Sequence, residues 1–344
     1  MARGRQSLAG ILWLLVLAAA QPIPIVGHRG APAHYPEESL EGVLAAAAFG
    51  AFGVECDAVP TRDGALVCRH AEDDLAATTN VLTSPWAGAC RQPFRPAGLL
   101  SQAHARCLSV DLTKAAFLGL EAWPEGADPR ARRPEAYYRA ARYPAALATS
   151  PGHTLDHAGF VRVLNPLPVA YFPELKAAPV LPPGVTRDDL RRAIVDAYRK
   201  AGVPPERVFL QSFFLEDLKF WRRYAPAYAA RAIWLDGRRL DPDRPADLRP
   251  TMAELRAAGV AYLGPPIGAL LAPRGGRLVP TAYARAACRA GLRLVPWTLE
   301  RTRVGPPSAV YRALSELCVF AVFSDDPGRY RGPGQSERKN PPSR

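Results

Sequence analysis

Beyond its first twenty residues the chain has no apolar run long enough to cross a bilayer, which excludes a polytopic membrane protein. It also lacks a Gly-x-Gly-x-x-Gly or other glycine-rich loop behind its first apolar segment, so the nucleotide-binding classes lose their main support. Lysine is scarce. The 44 basic residues are almost all arginine, scattered over helical stretches such as Arg191-Arg192 and Arg222-Arg223. With no dense basic run interleaved with aromatics, the net charge of +12 reads as solvated faces and not as nucleic-acid recognition. A basic surface still suits anionic phosphodiesters, or peripheral contact with phospholipid head groups.

What is present is the composition of a globular protein: 344 residues, 48% hydrophobic and 22% charged, enough for one large α/β domain or two small ones. Residues 1–20 have the layout of a signal peptide. Arg3 and Arg5 precede an apolar run from Leu8 to Leu17, and Ala18-Ala19-Ala20 form a small-residue cleavage site before Gln21. The expectation is a secreted, periplasmic or extracellular protein. The six cysteines then become candidates for disulfides. Cys90 and Cys107 share one proline-rich, loop-like stretch and are the preferred pair. For Cys56 and Cys68, in apparent strands, a buried free thiol is as open as a disulfide.

The chain repeats a strand-then-helix rhythm. Strands are expected at Ile23 to Gly27, Phe52 to Val59, Ala65 to Arg69, Val169 to Leu175, Arg207 to Ser212, Ala230 to Leu235, Ala261 to Leu263, Arg293 to Trp297 and Val319 to Ser324. Helices are expected at Glu38 to Phe49, Arg187 to Ala201, Leu215 to Tyr224, Met252 to Ala258, Thr281 to Ala290 and Ala309 to Leu317. Seven or eight such units argue for an α/β protein closed as a (β/α)8 TIM-type barrel over residues 22–330. An interruption at 81–165, rich in proline, arginine and alanine, reads as an inserted cap with weak helices at Thr113 to Leu120 and Leu155 to Leu164. The tail 331–344 has a disorder-prone composition.

The chemistry-bearing residues cluster early. Glu55 and Asp57 are two apart on a strand and therefore point the same way, two carboxylates able to share one hard cation such as Ca²⁺ or Mg²⁺. His28 and His70 end the strands on either side, where a barrel builds its active site, and form a candidate pair for taking and returning a proton. Glu174 and Lys176 repeat the spacing on a later strand, adding a third carboxylate and an ammonium for phosphate; a plain exposed ion pair is the competing view. Arg29 offers a fork for phosphate oxygens. Trp297 and Phe213 line a pocket or pack the core. His34 falls in the loop after the first strand, within reach of substrate, whereas His153 and His157 read as structural and His104 carries no signal.

In their order along the chain these residues resemble the glycerophosphodiester phosphodiesterases. The resemblance rests on Gly27-His28-Arg29-Gly30, Pro36-Glu37-Glu38-Ser39, Val54-Glu55-Cys56-Asp57, Thr61-Arg62-Asp63-Gly64, Val67-Cys68-Arg69-His70 and Thr78-Thr79-Asn80. It continues through Pro173-Glu174-Leu175-Lys176, Leu210-Gln211-Ser212-Phe213, Val295-Pro296-Trp297-Thr298-Leu299-Glu300 and Phe323-Ser324-Asp325. It implies a TIM-type barrel that hydrolyses glycerophosphodiesters to an alcohol and glycerol phosphate. His28 and His70 would be the acid/base pair, and Glu55, Asp57 and Glu174 the ligands of one divalent cation, Ca²⁺ ahead of Mg²⁺. Arg29 and Lys176 would hold the phosphate. A phospholipase D-like activity on lysophospholipids or sphingomyelin shares the layout, and an inactive binding relative is the non-enzyme alternative. The family usually has aspartate directly after the second histidine, where this chain has Ala71, with Glu72 and Asp73 next in line to replace it.

Overall fold

The computed structural model describes residues 22–139, 150–239 and 241–330; the expected signal segment and the tail 331–344 lie outside them. Eight parallel strands form the central sheet: β1 (Ile25–Gly27), β2 (Gly53–Pro60), β3 (Ala170–Leu175), β4 (Gln211–Ser212), β5 (Ile233–Leu235), β6 (Tyr262–Gly264), β7 (Arg293–Leu294) and β8 (Val322–Ser324). The strands pair in chain order, and β1 also pairs with β8. The circle closes through a parallel bridge from Leu294 to Val319 and the bond from the Phe323 amide to the Pro296 carbonyl, 3.0 Å. The α/β barrel expected from the sequence is therefore the fold.

Between the strands run helices α1 (Leu40–Ala48), α2 (His157–Leu164), α3 (Arg187–Lys200), α4 (Leu215–Tyr224), α5 (Met252–Ala257), α6 (Ala282–Arg289) and α7 (Pro307–Leu314). The α3 helix shows why the sequence folds this way. Thr186 and Asp189 close a reciprocal capping box at its start, and Leu190, Ile194, Val195 and Tyr198 recur on its buried face. Gly202, at φ +65°, follows its end, a left-handed position that glycine takes at low cost.

Alternation along the strands sorts side chains into two layers. Val54, Cys56 and Ala58 of β2 and Tyr171 and Leu175 of β3 pack outward against the helices. Val26, Phe172, Phe209, Ile233, Leu235 and Phe323 fill the barrel interior, where Phe172 and Phe209 stack with centroids 4.6 Å apart. Above this aromatic plug, the C-terminal strand ends carry the polar groups of a pocket.

Two expectations change. The segment Ala65 to Arg69 supplies no barrel strand: Leu66–Cys68 folds back antiparallel on β2 as a hairpin. A three-residue apolar run cannot reveal its partner's direction. The stretch expected as one insertion divides in two. Its earlier part, from about Val81 to Tyr137, builds a separate apolar cluster with Leu75, Phe117 and Leu120 against Val59 and Val67 of the hairpin. Its last helix is α2, whose Phe160, Val161 and Leu164 belong to the barrel core. Three disulfides are formed, Cys56–Cys68, Cys90–Cys107 and Cys288–Cys318; the second is the preferred pair, and the first resolves the open alternative.

His157 opens α2 fully buried, its Nε2 3.0 Å from the Tyr198 hydroxyl, and burial lowers its pKa from 6.5 to about 4. The folded protein thus binds fewer protons here than the unfolded chain between those values, so this contribution to stability is complete above pH 6.5 and is lost as pH falls through about 4. The full loss is about 3 kcal/mol. Urea unfolding at pH 7 and pH 4.5 should show a smaller acid loss for His157→Gln than for the wild type; equal losses would refute the assignment.

Candidate active site

At the C-terminal end of β2, Glu55 and Asp57 turn inward, and the parallel register places Asp57 directly beside Glu174 of β3. Carboxylate oxygens of the three lie within 4.8 Å of one another, all buried. Each charge disfavours the others in this dry setting. Burial and then Asp57 push Glu55 well above the usual carboxylate range, and Glu174 rises to about 7 from burial with Asp57 adding to it. Asp57 stays ionised, held down to about 2 by Lys176 and Arg29 against its own burial. Two buried oxygens, Asp57 Oδ1 and Glu174 Oε1, have the Lys176 ammonium beside them and no well-aligned hydrogen bond. A hard divalent cation fits this donor set: it would be shared by oxygens of all three carboxylates and offset their crowded charge.

The cationic groups lie alongside. Lys176 Nζ is 2.9 Å from Glu174 Oε1 and 3.8 Å from Asp57 Oδ1. Arg29 has its Nη1 3.0 Å from Glu37 and its Nε 3.3 Å from Asp57, while its backbone amide donates to Glu55 at 3.0 Å. Gln211 from β4 donates to Glu55 Oε1 at 3.2 Å and to the Phe172 carbonyl at 2.9 Å.

His28 ends β1. Its Nδ1 lies 2.6 Å from Asp325 Oδ1, and its Nε2 lies 3.8 Å from Glu55. Arg301 binds the other Asp325 oxygen at 2.8 Å, and with His28 it keeps Asp325 well below the usual carboxylate range. Assigning the Nδ1 proton to that short bond leaves Nε2 as the basic atom. Burial, then Arg29, lower the pKa of His28, and the same two causes take His70 down to about 3, so both rings are neutral at pH 7. His70 follows the hairpin strand, which the Cys56–Cys68 disulfide ties to β2 between Glu55 and Asp57. Fully buried Arg69 fixes the same turn through the carbonyls of Cys68, Thr78 and Glu37.

One pocket gathers all eight residues expected from the sequence: His28, Arg29, Glu55, Asp57, His70, Glu174, Lys176 and Trp297. Phe213 lines it too, its ring edge-on to Trp297 at 6.2 Å, and Trp297 Nε1 is held by the Gly264 carbonyl at 2.9 Å. His34 instead bonds Asp326 at 3.0 Å and does not line the pocket. His153 pairs with Glu41, and His157 with Tyr198, so those two share no site.

Sequence reasoning missed the supporting shell. Asp325 was visible as an acid just after the last strand, the same relative place as His28, and that was the available signal. Glu38, at φ +56°, accepts the Asp57 amide at 2.9 Å; the Pro36-Glu37-Glu38-Ser39 block marks its place but not this partner. Beside Ala71, neither Glu72 nor Asp73 takes over: Glu72 accepts the Val180 amide at 3.2 Å and Asp73 is exposed. Asp74 accepts the Ala71 amide at 2.9 Å and so braces the turn that carries His70.

A closed α/β barrel with buried acids and two histidines at its strand ends is the framework of a phosphoric diester hydrolase. The glycerophosphoryl diester phosphodiesterase family matches this chain over residues 28–329, and the chain belongs to that family. A protein of Arthroderma benhamiae named "Extracellular protein" is 37% identical over 191 residues, 54% of this chain and 77% of its own. A solved structure from Silicibacter pomeroyi superposes with a TM-score of 0.65 at 23% identity, covering 90% of this chain and 92% of that one. A phosphodiesterase from Oleispira antarctica, solved with sn-glycerol-3-phosphate, gives 0.56 at 16% identity, covering 89% and 94%. At such identities the two structures speak for the fold.

Proposed function

We propose that the protein is an exported enzyme that hydrolyses glycerophosphodiesters to an alcohol and glycerol phosphate, using His28 and His70 for proton transfer. The observation that carries this reading is the buried Glu55–Asp57–Glu174 cluster, its oxygens within 4.8 Å of one another, sharing its pocket with both imidazoles. One divalent cation, Ca²⁺ ahead of Mg²⁺, would be held by Glu55, Asp57 and Glu174. Three protein carboxylates suit Ca²⁺, which sheds water readily, better than Mg²⁺, which keeps it. When bound, the cation orients the phosphoryl group and offsets its charge.

The side chains do the rest. Arg29 and Lys176 hold the nonbridging phosphate oxygens. His28 Nε2 takes the proton of the substrate hydroxyl next to phosphorus, and Asp325 steadies the resulting imidazolium. The hydroxyl oxygen bonds to phosphorus, the bond to the departing alcohol breaks, and His70, which takes up a proton once the bound phosphodiester's negative charge offsets Arg29, gives that alcohol its proton. Water then opens the cyclic phosphate with the two histidines in exchanged roles. Trp297 and Phe213 pack against the departing group.

Product release from glycerophosphocholine and lysophosphatidylcholine, with and without EDTA, tests this. Turnover of the first substrate that EDTA abolishes is expected. Turnover only of the lyso-lipid favours the phospholipase D-like reading, and none on either sinks both. Asp325 acts as a positioning residue: Asp325→Asn should lower kcat by about 100-fold or more with KM little changed, and should displace the acidic limb of the pH profile. A parallel change in KM alone would refute that role.

A further inference from the structure

A second feature lies outside the pocket, on the cluster packed against the β2 hairpin. Gln92–Arg95 and His104–Arg106 pair as an antiparallel hairpin, closed at its base by Cys90–Cys107. Its tip is a tight turn in which the Gly98 amide bonds the Ser101 carbonyl at 3.0 Å. Leu99 and Leu100 stand at that tip 100% and 99% exposed. A lone exposed leucine calls for no explanation, but two adjacent ones with no protein contact at the apex of a braced hairpin do. The tip is held in place, since Ala97 and Ala103 donate to the carbonyls of Ala131 and Pro129 at 2.8 and 2.7 Å, and Phe94 packs on Tyr137.

The same contacts bring a second strand of evidence. The 129–133 segment that flanks the tip carries Arg130, Arg132 and Arg133, all exposed, and the hairpin adds Arg95 and Arg106. Arg130 is 3.6 Å from Asp128; the other four enter no ion pair among the described residues. An apolar point on a hairpin that carries and adjoins exposed guanidinium groups, four of the five without an ion pair among the described residues, is complementary to a lipid surface with anionic head groups, leucines entering the acyl boundary and arginines meeting the phosphates.

We propose that the Leu99–Leu100 hairpin tip docks the protein on anionic phospholipid membranes. Its base adjoins the active-site end of the barrel: Ser109, two residues past Cys107, donates its amide to the carbonyl of Glu72, two residues past His70. Docking there holds the pocket's end of the barrel near a membrane, the source of lipid-derived phosphodiesters. The proposal does not depend on the catalytic reading, and the two fail separately.

Co-sedimentation with vesicles of phosphatidylcholine mixed with phosphatidylglycerol, and with pure phosphatidylcholine, is the test. The wild type should partition onto the mixed vesicles, more weakly at high salt. Leu99→Ser with Leu100→Ser should cut partitioning by at least about tenfold while hydrolysis of a soluble glycerophosphodiester stays unchanged. Arg132→Ser with Arg133→Ser should weaken binding and flatten its salt dependence. Binding that survives the leucine changes overturns the proposal, as does equal binding to the uncharged vesicles. Self-association of the soluble protein that the leucine changes abolish would also overturn it, assigning the tip to a second copy of the chain.

Discussion

His28→Ala is expected to lower kcat on a glycerophosphodiester by about 1,000-fold while leaving cation binding and fold intact. The size follows from geometry. His28 Nε2 faces the carboxylate cluster, and its Nδ1 is pinned by Asp325 at 2.6 Å, so its loss removes an oriented base that no neighbouring side chain replaces. The ring is itself neutral at rest, because burial and Arg29 both disfavour its charged form. Steady-state kinetics with circular dichroism separate loss of chemistry from loss of structure. If the variant keeps more than about a tenth of wild-type kcat, His28 does not transfer the proton.

The second large effect concerns the cation. Glu174→Gln should abolish most EDTA-sensitive activity and weaken Ca²⁺ binding by at least about 100-fold, measured by calorimetry. The same variant should be more stable than the wild type once metal is stripped. In the wild type, three carboxylates with oxygens within 4.8 Å repel one another, which is why burial and Asp57 raise Glu174 to about 7. Neutralising one relieves that repulsion, and Tm in EDTA should rise by about 2–5 °C while the Tm increase on adding Ca²⁺ shrinks. A variant less stable in EDTA that still gains the full increment with Ca²⁺ would mean that the cluster is not the cation site.

Much of this was legible in the sequence because two simple periods govern it. The i, i+2 rule put Glu55 with Asp57 and Glu174 near Lys176, and the strand–helix rhythm put all of them on one barrel end. The structure adds the register, with Asp57 opposite Glu174, which no single strand encodes. The missed residues act through space. Asp325 reaches His28 across 297 positions, and Gln211 reaches Glu55 across 156; the motif blocks that contain them mark their places but not the side chains they meet. Strand β7 is shorter than its apolar run because the residues beyond Leu294 turn into the loop where Trp297 lines the pocket, whereas β4 begins late, at Gln211, and ends at Ser212 as expected, with Phe213 next. The misplaced end of the insertion has the same origin: α2 looks like its loop-rich neighbours until its apolar face meets the barrel.

The Cys56–Cys68 bond has a consequence for where this chemistry can run. Cys56 stands between two of the proposed cation ligands, and Cys68 lies two residues before a proposed acid/base group, so one covalent link aligns both halves of the machinery. In a cytosol that keeps thiols reduced, the hairpin would keep its antiparallel pairing with β2 but lose its covalent tie, leaving His70 to that ladder and to the braces from Arg69 and Asp74. The covalent alignment of His70 with the β2 carboxylates is then a property of the protein in an oxidising environment.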